Sequence, residues 1–164
     1  MLVTFIISQR KNIPAIKRSV EALAALFGRP VAGAPEGAFA FPSPEALAAQ
    51  SIDSLAPCSL GYRAPYVLAA ARMAGGGEID LAGLESAGDE ELFSALLTVP
   101  GVGTKVASCV MLFGYHRLDA FPRDTWINRT IDCQYGGCFE EERYRGFRGV
   151  IQQYMFYYAR TNKG

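Results

Sequence analysis

The sequence predicts an all-α fold. Three observations carry this. Apolar residues recur at three- and four-residue spacing over long stretches, as in Ile13, Ile16, Val20, Leu23, Leu26 and Phe27. Helix-start signals are frequent, among them Ser43-Pro44, Ala64-Pro65, Asp89 and Asp124. No segment of convincing length shows the apolar–polar alternation of a strand, and no internal repeat is present.

The elements follow in order. Leu2 to Ile7 reads as the inside of a helix with no capping residue before it. The helix beginning near Ile13 is closed by Gly28. The stretch from Arg29 to Phe41 is rich in Gly, Pro and Ala and reads as a loop. Ser43-Pro44 starts the next helix, and Ala64-Pro65-Tyr66 starts another, ended by the glycines at 75 to 77. Asp89 is placed to cap a helix whose apolar face is Leu92, Ala95, Leu96 and Val99. Pro100 to Gly103 forms a tight turn, and a further helix runs from about Thr104 to Tyr115. Asp124 caps the next one. The last helix carries Phe147, Val150, Ile151, Tyr154, Met155 and Tyr158 on one face.

Composition narrows the class. The chain has 164 residues, 50% hydrophobic and 20% charged, which fits one folded domain and excludes a disordered chain. Sixteen basic and 16 acidic residues balance, so any nucleic-acid surface must come from segregated charge. No apolar run approaches the roughly 20 residues of a membrane helix, and no secretory signal is visible. Cys58, Cys109, Cys133 and Cys138 match neither a zinc site nor a disulfide framework. They read as reduced thiols in an intracellular protein. His116 is the single histidine, and a metal site built on histidines is excluded.

The chemistry concentrates in Leu97-Thr98-Val99-Pro100-Gly101-Val102-Gly103-Thr104-Lys105. Two amphipathic helices flank a turn with two glycines. Glycine lets the chain take positive φ and approach a ligand closely. The free amides of the second helix, with its dipole behind them, suit a DNA phosphate. Lys105 lies in the first turn of that helix. The dipole and partial burial both favour its neutral, nucleophilic amine there. Downstream, Asp124 in Phe121-Pro122-Arg123-Asp124-Thr125-Trp126 is an N-cap, and a capped carboxylate stays fixed and ionised. A fixed carboxylate near a developing sugar cation is the electrostatic half of glycosidic-bond cleavage.

These segments together resemble the helix-hairpin-helix DNA glycosylases, and specifically the lysine-bearing 8-oxoguanine DNA glycosylases. Phe5-Ile6-Ile7-Ser8 with Asn12-Ile13 is similar to the family's helix that enters the minor groove. Leu60-Gly61-Tyr62-Arg63-Ala64-Pro65-Tyr66 is similar to its Gly-Tyr-Arg-Ala segment, and Gln152-Gln153-Tyr154-Met155-Phe156 to its recognition helix. The resemblance implies one helical domain over residues 1–164, with the hairpin at about 89–115. It implies a bifunctional glycosylase and abasic-site lyase that removes oxidised purines from double-stranded DNA. Lys105 would be the nucleophile forming a Schiff base, and Asp124 would stabilise the sugar cation. Gln152, Phe156 and Cys109 would line the base pocket. Asn12, Tyr62, Arg63, Gly101, Gly103, Thr104 and Trp126 would contact DNA. No cofactor or metal is implied: only Cys133 and Cys138 follow the aspartate motif, too few for the iron–sulfur cluster of the related endonuclease III branch. A monomer without membrane association, intracellular and DNA-bound, is expected.

Two departures stand out. Ser8 is followed by Gln9, Arg10, Lys11 and Asn12 where the family has an asparagine run, and Ala15 stands where it has an arginine. The mixed α/β domain that the family carries ahead of its helices has no counterpart in this sequence. A DNA-binding remnant, without catalysis or with lyase activity alone, is the alternative reading.

Overall fold

A computed structural model describes residues 1–161 and contains eight α-helices among them. They are α1 (Leu2–Ser8), α2 (Ile13–Phe27), α3 (Pro44–Ala48), α4 (Ala64–Gly75), α5 (Asp89–Leu97), α6 (Thr104–Gly114), α7 (Thr125–Tyr135) and α8 (Arg148–Thr161). Short 3-10 turns at Ala56–Cys58, Gly61–Arg63, Gly83–Glu85 and Glu141–Tyr144 punctuate the connections. Among the described residues there is no strand. One antiparallel bridge, Pro30 to Phe39, pinches the expected loop.

The starts follow their local chemistry. The Asn12 side-chain Oδ1 accepts from the Ala15 amide at 2.9 Å, and Pro14 needs no donor in the first turn. Ser43 Oγ accepts from the Ala46 amide, and the Asp124 carboxylate from the Ile127 amide at 2.9 Å. Asp89 is a correction. Gly88 holds the extended cap position, and Asp89 is the first helical residue. There it favours the positive end of the helix dipole, and its carboxylate pairs with Arg117 at 3.3 Å.

Packing is uneven. α1 lies against α2, α4 and α6, so Ile6 and Ile7 are both fully buried although adjacent in sequence. With Leu23, Leu47, Val67, Leu92, Leu96 and Val106 they form the principal core, which spans α1 to α6. α7 and α8 pair with each other over a second, small cluster of Ile127, Ile131 and Met155.

The face of α8 differs from the expectation. Phe147, Val150, Tyr154 and Tyr158 are exposed, and the helix buries Gly149, Gln152 and Met155 instead. The reason is close approach at Gly149. A Cβ there would stand 2.3 Å from Leu112 Cδ1 and 2.7 Å from the Ala120 carbonyl oxygen. The Gly149 amide donates to the Leu118 carbonyl at 2.7 Å. A glycine contact and a satisfied polar side chain therefore set the rotation, against the apolar stripe.

Candidate active site

The hairpin of α5 and α6 builds one bank of the site. Gly101 has φ +80°, and a Cβ on it would lie 2.4 Å from the Tyr66 ring. Only glycine fits there, on both counts. Gly103 does not need the left-handed region. Its φ is −101°, and a Cβ would meet nothing within 4 Å. It serves as the extended N-cap of α6. No side chain caps the first amides of α6, and Gly103 and Thr104 are exposed. Buried Val99 and Val102 anchor the turn from beneath. An exposed, uncapped helix start of this kind can take an anion.

Lys105 rises from this turn half-buried. Its Nζ lies 6.0 Å from the centroid of the Phe5 ring, which itself stacks on Phe113 at 5.5 Å. One helical turn on, Cys109 is buried. Burial pushes its thiol pKa up; the Lys105 ammonium, also hydrogen-bonded to it, pulls it down, and the Asp124 carboxylate pushes it up again. The thiol thus sits within reach of both charges. At Asp124 one carboxylate oxygen is spent on the cap, which fixes the group. Its neighbour Arg123 turns away to Glu141 at 2.6 Å. Trp126, in the first turn of α7, remains partly exposed. Among the described residues no group of three or more His, Cys, Asp or Glu is arranged to hold a metal ion.

α8 supplies the wall behind Asp124. Gln152 is buried and donates from Nε2 to the Pro122 carbonyl at 2.9 Å, while its Oε1 accepts from Gln153. In this arrangement its amide braces the segment that carries Asp124. Phe156 is half-buried against the Ile127, Ile131 and Met155 cluster, with the Arg160 guanidinium 5.5 Å above its ring.

The opposite bank is the linker between α1 and α2, with the 59–63 segment. Tyr62 is exposed and meets Tyr66 edge-on at 6.5 Å. Asn12 is exposed, with its side-chain oxygen occupied as the α2 cap. Arg63 is not displayed at the surface as expected: it is buried. Its Nε donates to the Gln9 carbonyl at 2.8 Å, Nη2 to the same oxygen, and Nη1 to the Leu60 carbonyl at 3.1 Å. Its guanidinium carbon lies 4.3 Å from the Tyr62 ring centroid. A guanidinium can be buried when backbone carbonyls satisfy it, and here it clamps two segments together.

Two residues that the sequence marks only as departures from the family pattern complete this bank. Gln9 donates from its side chain to the Gly101 carbonyl at 2.9 Å, which ties α1 to the hairpin turn. Lys11 donates from Nζ to the Ser59 carbonyl at 2.7 Å and to Ser19 Oγ at 2.6 Å. Partial burial, then Arg63 and Arg18, lower its pKa. The one available signal was Ser19, a polar residue on the inner side of α2 that needs a partner.

No family model matches the chain. Similarity to individual proteins is extensive. It is 34% identical over 131 residues, 77% of its length, to the Arabidopsis thaliana protein named "N-glycosylase/DNA lyase OGG1". It superposes with a TM-score of 0.90, at 37% identity and over 98% of its length, on a protein described as "MBOgg1 in complex with low affinity DNA ligand". A TM-score of 0.89 at 31% identity relates it to the Clostridium acetobutylicum 8-oxoguanine glycosylase/lyase bound to double-stranded DNA with cytosine opposite the lesion. The chain covers 36% to 39% of the length of the curated N-glycosylase/DNA lyases it matches. It covers 58% and 59% of the two solved chains.

Proposed function

We propose that this chain, which has the helix-hairpin-helix DNA glycosylase fold and is related to the 8-oxoguanine members, is the catalytic part of a bifunctional N-glycosylase and DNA lyase of base-excision repair. The observation that carries the reading is the exposed, uncapped start of α6 behind the Gly101 turn, with Lys105 in its first turn. Lys105 stands in the first turn of α6, whose uncapped start suits a phosphate, and Asp124 caps α7.

The roles are those that the resemblance implies. The first amides of α6 hold the backbone of double-stranded DNA, and Gly101 lets the turn lie flat against it. The damaged nucleotide leaves the stack. The Lys105 amine attacks C1′ as the bond from C1′ to the base nitrogen breaks, and the base departs with the bonding electrons. Asp124 stabilises the positive charge that develops on the sugar. The amine–C1′ adduct opens to a Schiff base. Loss of a C2′ proton then expels the 3′ phosphate by β-elimination, which nicks the strand. Cys109 and Phe156 line the base side, Phe156 with a ring to stack on, and Gln152 braces the wall behind them through Pro122 and Gln153.

Borohydride trapping tests this on two duplexes, one with 8-oxoguanine opposite cytosine and one with an abasic site. Adducts on both, absent in Lys105→Gln, are the expected result. An adduct on the abasic duplex alone restricts the chain to the lyase step. No adduct on either overturns the catalytic reading.

A further inference from the structure

Lys105 is a long side chain with little to hold it. Among the described residues no ion pair engages it, and the polar group it meets is the Cys109 thiol. A lysine stem is flexible, and an amine that attacks one atom must be kept near its line of attack. An aromatic ring lies where such a guide is needed. Phe5, half-buried on α1, presents its ring to the amine, with Nζ 6.0 Å from the centroid.

The ring is itself held in place. Leu2, Ile6 and Ile7 are buried, and they fix the rotation of α1 against α2, α4 and α6. Gln9, just past the end of α1, donates to the Gly101 carbonyl and ties that helix to the turn preceding Lys105. Phe113 stacks on the Phe5 ring, with centroids 5.5 Å and planes 30° apart. Lys105, Cys109 and Phe113 recur at every fourth residue, on one face of α6. Phe5 therefore spans the lysine and Phe113 along that face.

The choice of an aromatic residue carries the argument further. The rest of α1 is mostly aliphatic, with Leu2, Val3, Ile6 and Ile7. A leucine at position 5 could fill similar space against the core. An ammonium beside an aliphatic group loses water without compensation, whereas beside a ring face it meets the negative side of the π quadrupole. The ring can hold the amine as well as fill the space beside it.

Taking Lys105 as the nucleophile of the proposed reaction, we propose that Phe5 is a positioning residue: its ring, backed by Phe113, holds the Lys105 amine in the place from which it attacks C1′. Phe5 acts through the lysine and not on the DNA.

Two readouts test this, one that needs the chemistry and one that does not. The first is single-turnover borohydride trapping on an abasic duplex at saturating protein. Phe5→Leu should slow trapping by about tenfold, while affinity for a duplex with a tetrahydrofuran abasic analogue stays within about twofold of the parent. Phe5→Tyr keeps the ring and should trap within about threefold of the parent. Phe113→Leu removes the backing and should fall between the two. The second readout is nuclear magnetic resonance of protein with isotope-labelled lysine. The Lys105 Cε–Hε signal, assigned by its loss in Lys105→Gln, should lie upfield of the other lysines through the ring current of Phe5. It should return toward them in Phe5→Leu and stay displaced in Phe5→Tyr. Trapping by Phe5→Leu at the parent's rate, equal slowing by Phe5→Leu and Phe5→Tyr, or a rate loss matched by lost affinity would overturn the proposal. So would a Lys105 signal that Phe5→Leu leaves unmoved. A parent that forms no adduct sinks the catalytic reading instead, and the Lys105 signal then decides alone whether Phe5 holds the amine.

Discussion

The two halves of this molecule are held by different means. From α1 to α6 a continuous apolar core does the work, with Ile6, Ile7, Leu92 and Leu96 fully removed from solvent. The α7–α8 pair buries three apolar residues, Ile127, Ile131 and Met155. It relies otherwise on rings and polar ties. Phe139 stacks on Phe121 and Tyr144, Arg148 reaches Asp119 and Glu142, and Gln152 holds Pro122. Lys105 stands on the first half and Asp124 on the second. The candidate site lies along the seam between a firmly packed scaffold and a lightly packed one.

The largest effects test whether both halves contribute to one reaction. Lys105→Gln should remove the borohydride adduct entirely and lower strand nicking by at least about a thousandfold. Asp124→Asn should lower base excision by about a hundredfold or more, while the asparagine still caps α7. Its melting temperature should therefore stay near the parent's, and Asp124→Ala should lose about 1 kcal/mol of stability besides activity. Full excision by Asp124→Asn would show that the chemistry belongs to the first half alone.

Native-state hydrogen exchange addresses the packing directly. Amides of α7 and α8 should open at lower free energy than those of α4 to α6, by about 2 kcal/mol or more. Leu96→Ala should cost about 3 kcal/mol globally. Met155→Ala should lower the opening free energy of α7 and α8 while leaving α4 to α6 little changed. Identical exchange in both halves would erase the distinction.

Within the hairpin the comparison sharpens to two glycines. Gly101→Ala places a Cβ against the Tyr66 ring at φ +80° and should cost about 2 kcal/mol, read by urea unfolding. Gly103→Ala meets open space at an ordinary φ and should cost about 0.5 kcal/mol. Equal costs would mean that the turn is not wedged on Tyr66.

What was legible in the sequence divides along the same seam. Helix starts at Ser43-Pro44, Ala64-Pro65 and Asp124 are visible because a cap or a proline acts within one turn. Lys105 and Asp124 stand out for the same local reason. The face of α5 follows its periodicity, and that of α2 does so in part: Leu23 is buried and Ile16, Val20 and Phe27 pack on the core, while Ile13 and Leu26 at its ends are exposed. α8 breaks that rule. Its rotation is set by Gly149 against Leu112 and by Gln152 on Pro122, contacts with residues about 30 or more positions away. Arg63 was invisible for the same reason: its burial depends on the carbonyl of Gln9, 54 residues earlier. Asp89 misled because an acid is favourable both as a cap and just after one.

A further effect concerns a titratable tie at the edge of the firmer half. Tyr115 closes α6 and donates from its hydroxyl to the Leu81 carbonyl at 2.8 Å. Burial raises its pKa above the ordinary 10, and the carboxylates of Asp80 and Glu85 raise it further. A folded-state pKa above the unfolded one means that the folded chain holds its proton longer. The stability from this contact is therefore complete below pH 10 and is lost as pH rises through the folded value. Tyr115→Phe should cost about 1 kcal/mol at neutral pH, because the Leu81 carbonyl loses its donor. Above pH 10 the gap to the parent should narrow, since the variant has no proton to lose there. Melting temperatures measured between pH 8 and 11 check this, and a gap that stays constant across that range would remove Tyr115 as the titrating contact.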